Sequence, residues 1–241
     1  MSSSILVKIC GITRVDDARF ALEAGADWIG LNLVAGPRKI DLAAAADILS
    51  QLDDRARAVA LVVVEKDSVP NSTLEVLKTH GVRRLQLYGD SAGEAVRRLA
   101  DEGFESILVH PVADEASLAA LDGVLGARDG TRPNYVLFDS AVAGQAGGTG
   151  RLADWNAIAS AHERGRYADW PPMILGGGLT PGNVAQAVRT LAPFGVDVSS
   201  GVESAPGCKD HARVREFVAA ARGGRGKPGA PGTARSGTSP L

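Results

Sequence analysis

Eight short runs of Ile, Val and Leu recur along the chain, roughly every 20 to 35 residues, each followed by a stretch of helical periodicity. This alternation restricts the architecture sharply, because strands joined by crossover helices lie parallel and are covered by those helices. The runs fall at 5–10, 27–33, 58–64, 84–88, 105–109, 134–138, 172–175 and 195–198. The clearest helices are expected at 15–24, 41–52, 91–102, 180–192 and 209–221. Asp41, Ser91 and the Thr180-Pro181 pair mark their starts, the last suiting an N-cap and a first helical position. Eight such units favour closure into a single-domain (βα)8 TIM barrel of the α/β class over an open doubly wound sheet. The first strand also runs into KICGIT, not into the G-x-G-x-x-G of a dinucleotide-binding sheet. The barrel is expected over 1–222. Residues 223–241, rich in Gly, Pro and Ser with almost no large apolar side chain, are expected to form a disordered tail.

The charge balance narrows the partners. With 26 basic and 28 acidic residues and a net charge of −2, no strong field favours nucleic acid or an anionic membrane, which leaves small molecules. No apolar stretch approaches the roughly 20 residues needed to span a bilayer. The start, MSSSILVKIC, lacks the pattern of a signal peptide, so a cytoplasmic location is expected. The two cysteines, Cys10 and Cys208, are too few for a disulfide framework, and neither has the spacing of a zinc site. No metal is expected.

The polar exceptions locate the chemistry. Cys10, Arg38, Asp139, Gly177 and Ser200 each follow an apolar run, and in a parallel barrel the strand C-termini converge on one face. In the first strand, period two puts Lys8 and Cys10 on the face opposite Val7 and Ile9, so the polar pair points into the barrel if the apolar pair meets the helices. An ammonium below a thiol is expected to depress the thiol's pKa and suit it to accept a proton, with Asp197 as counter-ion; a buried cysteine acting as a small hydrophobe is the alternative. Asp139 precedes the Gly-rich stretch AVAGQAGGTG and is placed either for acid–base work or for a turn. Arg38 offers a bidentate fork for a carboxylate or phosphate. Leu175-Gly176-Gly177-Gly178-Leu179 and Ser199-Ser200-Gly201-Val202-Glu203 occupy the seventh and eighth βα loops, where barrels often hold phosphate through backbone N–H groups. A phosphorylated small molecule is therefore the expected substrate. His110, after the fifth run, stands either in reach of the site or as a structural histidine.

Taken together the chain resembles the phosphoribosylanthranilate isomerases of tryptophan biosynthesis over about residues 5–221. The resemblance rests on KICGIT at 8–13, PR at 37–38, LQLYGD at 85–90, LFDS at 137–140, GGTG with the following DW at 147–155, GGGLTPGNV at 176–184, and DVSSGVE with PGCKD at 197–210. It implies an aldose–ketose isomerase that converts N-(5-phosphoribosyl)anthranilate into 1-(2-carboxyphenylamino)-1-deoxyribulose 5-phosphate by an Amadori rearrangement. Cys10 would be the general base, Asp139 the general acid and Arg38 the anchor of the anthranilate carboxylate. Gly177, Gly178, Ser200 and Gly201 would hold the phosphate, with Lys8, Gln86 and Asp197 in support. No cofactor is implied, because the iminium nitrogen of the opened sugar is itself the electron sink, and either a monomer or a homodimer is compatible. The chain departs from the family pattern at Gly36 and at Asn32-Leu33-Val34 in the second loop, at Val64-Glu65 after the third strand, and at Tyr88, where the family has histidine. A reshaped anthranilate pocket is expected there. Two other readings stay open: a related phosphosugar isomerase for a different N-substituted ribotide, and a non-catalytic phosphate-binding barrel.

Overall fold

The computed structural model describes residues 4–66, 68–89, 92–125, 131–140 and 154–224. Eight parallel strands, β1 (Leu6–Ile9), β2 (Trp28–Asn32), β3 (Ala58–Val63), β4 (Arg84–Tyr88), β5 (Glu105–Val112), β6 (Tyr135–Ser140), β7 (Met173–Leu175) and β8 (Gly195–Val198), pair in sequence order. The pairing of β8 with β1 closes the barrel. Around it lie α1 (Val15–Glu23), α2 (Leu42–Ser50), α3 (Asn71–Thr79), α4 (Ala92–Asp101), α5 (Glu115–Leu125), α6 (Trp155–Glu163), α7 (Val184–Leu191) and α8 (His211–Gly224). The expected (βα)8 architecture is the observed one. No helix among the described residues is long and apolar enough to cross a membrane.

Strand alternation sorts the side chains into two cores. Val7, Ile9, Ile29, Leu31, Ala60, Leu85, Leu87, Leu108 and Phe138 face outward and pack beneath the helices. The other face of each strand fills the barrel with Cys10, Trp28, Val59, Leu61, Ile107, Leu137 and Ile174. At the end where the strands begin, Arg84 lies over the Trp28 ring at 4.6 Å and Tyr135 meets Trp28 edge-on at 5.2 Å. These first residues of their strands plug that end, so the polar interior is reached from the opposite face.

Several boundaries differ from the sequence expectation, each for a physical reason. β5 and β6 run further because their pairing continues through Pro111↔Asp139 and Val112↔Ser140, which puts Asp139 inside a strand rather than after one. α7 begins at Val184 rather than at Thr180, because the Asn183 side chain accepts from the Thr180 N–H at 2.8 Å and donates to the Gly178 carbonyl at 3.1 Å, holding 178–183 as a loop. Asp41 caps α2 as expected, accepting from the Ala44 N–H at 2.7 Å. α8 continues through Gly224, two residues into the expected tail, because Gly224 packs on α7; a Cβ there would lie 3.0 Å from the Ala185 carbonyl oxygen. Residues 225–241, Ser91, and the glycine-rich stretch 141–150 lie outside the described residues.

One element has no counterpart in the eight-unit pattern. After β8 a short 3-10 turn at Ser200–Val202 leads into an antiparallel hairpin of β9 (Glu203–Ala205) and β10 (Cys208–Lys209). Gly207 makes its turn at φ +78°. The hairpin is fastened to α1 by buried Asp17, which accepts from the Lys209 backbone N–H at 3.1 Å and pairs with Arg14 and His211. Burial raises the Asp17 pKa, but these donors outweigh it and hold the carboxyl below its ordinary 3.8. Asp17→Ala should cost about 2 kcal/mol at neutral pH, chiefly through the orphaned Lys209 N–H. Because the folded pKa is depressed, this contribution is complete above the ordinary carboxylate value and lost as pH falls through the folded one. Urea titrations of both proteins should therefore show the gap narrowing below about pH 4.

Candidate active site

Lys8 is fully buried inside the barrel and donates to Asp197 Oδ1 at 2.7 Å, directly across the β1–β8 pairing. Cys10 follows one residue after β1, its backbone N–H bonded to the Val198 carbonyl at 2.8 Å. The space for both side chains comes from Gly30 of β2, where a Cβ would lie 2.7 Å from Cys10 Sγ and 3.2 Å from Lys8 Nζ. No special turn demands this glycine; the crowded barrel interior does.

The electrostatics correct one expectation. Burial pushes the Cys10 thiol up; Lys8 pulls it down, but Asp197 works against Lys8 and the net pKa is raised, not lowered. Burial likewise disfavours the Lys8 ammonium, yet Asp197 and Cys10 more than offset it, so Lys8 stays charged. The lysine eases a cost that burial imposes without reversing it.

Around Cys10 the strand ends gather the remaining residues. Arg38, Tyr88, Asp139, Gly177, Gly178, Asp197 and Ser200 line the same pocket as Cys10. Asp139 projects from the end of β6 and is buried. Gln86, beneath the pocket, donates to the Tyr88 hydroxyl at 2.8 Å. Burial pushes the Tyr88 pKa well up, with Cys10, Asp139 and Asp197 adding to it, so the phenol remains a neutral donor. Gly177 and Gly178 adopt φ of +74° and +68°, which turns their backbone toward the pocket without a side chain in the way. Gly201 is not on the pocket wall. It stands behind it, where a Cβ would lie 2.0 Å from the Leu179 carbonyl oxygen, and so allows the seventh and eighth loops to touch. His110 points away, its Nε2 donating to the Ser117 carbonyl at 2.7 Å and burial lowering its pKa, as a structural histidine does.

Arg38 is buried rather than solvated, with its guanidinium forked onto Glu203: Nε to Oε1 at 2.8 Å and Nη2 to Oε2 at 2.7 Å. Lys209 Nζ also donates to Glu203 Oε1 at 2.7 Å and to the Ser199 carbonyl at 3.2 Å. Glu203, Lys209, Gly30 and Asn183 are site residues that pattern reading did not single out. Glu203 and Lys209 lay within DVSSGVE and PGCKD, and the signal there is two charges flanking a Pro-Gly turn in a short connection.

With this geometry in place, the comparisons with known proteins agree. The family model for N-(5'phosphoribosyl)anthranilate (PRA) isomerase matches residues 7–220. The chain belongs to this family. An N-(5'-phosphoribosyl)anthranilate isomerase of Pseudomonas fluorescens is 36% identical over 226 residues, which cover 93% of this chain and 99% of the relative. One from a Roseiflexus species is 40% identical over 222 residues, covering 90% and 98%. The crystal structure of phosphoribosyl anthranilate isomerase from Thermotoga maritima superposes with a TM-score of 0.76 at 31% identity, covering 91% of this chain and 99% of that one. A structure of the isomerase in complex with reduced 1-(o-carboxyphenylamino)-1-deoxyribulose 5-phosphate superposes at 0.73 and 30% identity, with the same coverage.

The expected departures from the family pattern, Gly36 and Val64 among them, lie at or just after the ends of β2, β3 and β4. Asn32 and Tyr88 line the pocket that holds Cys10, while Leu33, Val34 and Glu65 line a second groove of about 710 Å3 with Val62 and Val63. Asn32 holds the neck of the second loop, accepting from the Val34 N–H at 2.9 Å through its side chain and from the Ile40 N–H at 2.9 Å through its carbonyl.

Lys8→Met should raise the midpoint of Cys10 ionisation by about one pH unit or more, since the variant loses the charge that favours the thiolate and leaves Asp197 unpaired beside it. The ultraviolet absorbance of the thiolate, titrated in a Cys208→Ser background, measures this, and the rising limb of the activity–pH profile should move the same way. Unmoved midpoints would show that Asp197 cancels the ammonium at the sulfur.

Proposed function

We propose that this chain catalyses the Amadori rearrangement of N-(5-phosphoribosyl)anthranilate to 1-(2-carboxyphenylamino)-1-deoxyribulose 5-phosphate in the tryptophan pathway. The observation that carries the proposal is the presence of a thiol, a carboxyl and a guanidinium, Cys10, Asp139 and Arg38, on the wall of one pocket that Gly177, Gly178 and Ser200 also line. Three kinds of recognition are thereby available to one ligand: proton transfer at the sugar, a fork for the ring carboxylate, and glycine backbone for the phosphate.

Asp139, as the carboxylic acid, gives its proton to the furanose ring oxygen while the C1–O bond breaks, leaving a C4 hydroxyl and an iminium at C1. Cys10, as thiolate, takes the proton from C2, and the electron pair of that C–H bond flows into the iminium to give an enolamine. The enolamine tautomerises to the ketone, gaining a proton at C1 and losing one from the C2 oxygen, so that the net change is isomerisation. Burial of the thiol makes the thiolate scarce but reactive, and Lys8 keeps it accessible. The Arg38 fork orients the ring carboxylate. Backbone N–H groups of the seventh and eighth loops hold the phosphate. Gly201 serves that site by letting Leu179 and Ser200 approach.

The protein works as a monomer or a homodimer in the cytoplasm. The test is loss of fluorescence of freshly generated phosphoribosylanthranilate, with wild type beside Cys10→Ala and Asp139→Asn. Wild type should turn over rapidly, and each variant should fall by a factor of about 10² to 10⁴ with unchanged thermal unfolding. A folded wild type without turnover overturns the proposal.

A further inference from the structure

Arg38, Glu203 and Lys209 form a buried chain of alternating charge that reaches the pocket at one end. Glu203 occupies Nε and Nη2 of Arg38 with both of its oxygens, and Lys209 shares Oε1. A guanidinium has five N–H donors, so among the described residues two are used and three remain: both on Nη1 and the second on Nη2. These remaining donors flank the end of the fork, and Arg38 lines the pocket, so an incoming carboxylate meets the fork end-on. Glu203 therefore settles which edge of the guanidinium is offered. Its hold is long-range in sequence and rigid in space, since β10 is tied to α1 through Asp17 and the Arg38 stem lies against Gly11, where a Cβ would stand 2.4 Å from Arg38 Cδ.

The charge count is the second part. Arg38 and Glu203 alone would be a neutral pair, and a bound carboxylate would leave that group with an excess negative charge in a buried setting. With Lys209 the group carries +1, and it becomes neutral when the carboxylate binds. We propose that Glu203 and Lys209 are positioning residues that make Arg38 a receptor for the ring carboxylate, Glu203 by orienting the fork and Lys209 by supplying the charge that balances the anion. The inference rests on the isomerase reading above and adds the residues that set its selectivity. Burial lowers the Lys209 pKa from its ordinary 10.5 and Glu203, 2.7 Å away, offsets only part of that, so the charge rests on the ion pair with Glu203.

Binding, rather than turnover, is the readout, because Lys209 also acts on the Cys10 thiol. Calorimetric titration of the full chain would use two probes: reduced 1-(o-carboxyphenylamino)-1-deoxyribulose 5-phosphate, and the same compound lacking the ring carboxylate. Lys209→Met and Lys209→Gln should each weaken the carboxylate-bearing probe by about 10- to 100-fold while the probe without it stays within about twofold. Lys209→Arg should restore the difference. Any effect of Lys209 on the phosphate loops through the Ser199 carbonyl would fall on both probes alike, so equal weakening of the two overturns the inference, as does no weakening of either. Should Lys209→Met not fold, Lys209→Gln and Lys209→Arg make the same comparison with polar side chains. If wild type neither turns over phosphoribosylanthranilate nor prefers the carboxylate-bearing probe, the isomerase reading fails; if wild type does both and the Lys209 variants keep the preference, only this inference fails.

Discussion

The site depends on the seam where β8 meets β1. Leu6, Val7, Lys8 and Ile9 pair in register with Gly195, Val196, Asp197 and Val198, and that register brings an ammonium and a carboxylate together inside the barrel. A one-residue slip of either strand would turn its charge to the outer, helix-facing core and leave the other charge unpaired inside the barrel. The buried pair therefore specifies the closure, whatever its net contribution to stability. The same register sets Cys10 beside Val198 and brings Ser199 and Ser200 to the pocket that Gly177 and Gly178 enter from β7. Gly195 has no side chain because a Cβ there would lie 2.9 Å from Leu6 Cδ2. Closure, the position of Cys10 and that of the seventh and eighth loops are one geometric decision.

Much of this was legible in the sequence because it is local. The Val7/Ile9 and Lys8/Cys10 alternation follows from the two-residue period of a strand, and Asp41 needs only the next three residues to act as a cap. What escaped was nonlocal or depended on burial. The extension of β5 and β6 through Val112 and Ser140 is decided by pairing across strands, and the delayed start of α7 by an asparagine that bonds back to residues three and five places earlier. Gly30 matters only because β1 carries two polar side chains against it. The sign of the Cys10 shift could not be read from the proximity of Lys8 alone, since it is a contest between one charge, its counter-ion and the loss of water.

The β9–β10 hairpin shows how a barrel adds precision to a loop residue. Arg38 sits in a long connection after β2, where a free arginine would sample many rotamers and lose about 2 kcal/mol of side-chain entropy on being fixed by a ligand. Glu203 and Lys209 impose that order beforehand, and the cost of burying three charges is met within folding rather than at binding. The hairpin's tie to α1 through Asp17 carries the constraint into a helix that packs on the outer core, so the fork is referenced to the body of the barrel.

The two halves of the mouth are built under different constraints. On the β6–β8 and β1 side, the proposed reaction asks Asp139, Gly177, Ser200 and Cys10 to meet reacting atoms and a phosphate, and proton transfer loses efficiency with small displacements. On the β2–β4 side the ligand presents a flat aromatic ring, whose recognition depends on shape and apolar area and tolerates substitution. Asn32, Leu33, Val34, Gly36, Val64, Glu65 and Tyr88, where the sequence reading marks departures from the family pattern, all lie at or just after the ends of β2, β3 and β4, next to an exposed Val63. Arg38 is held by Glu203, so in the proposed reaction it would anchor the ring by its carboxylate without depending on the loop residues that face the ring. A reaction whose chemistry is fixed on one wall can thus keep its mechanism while the opposite wall changes shape.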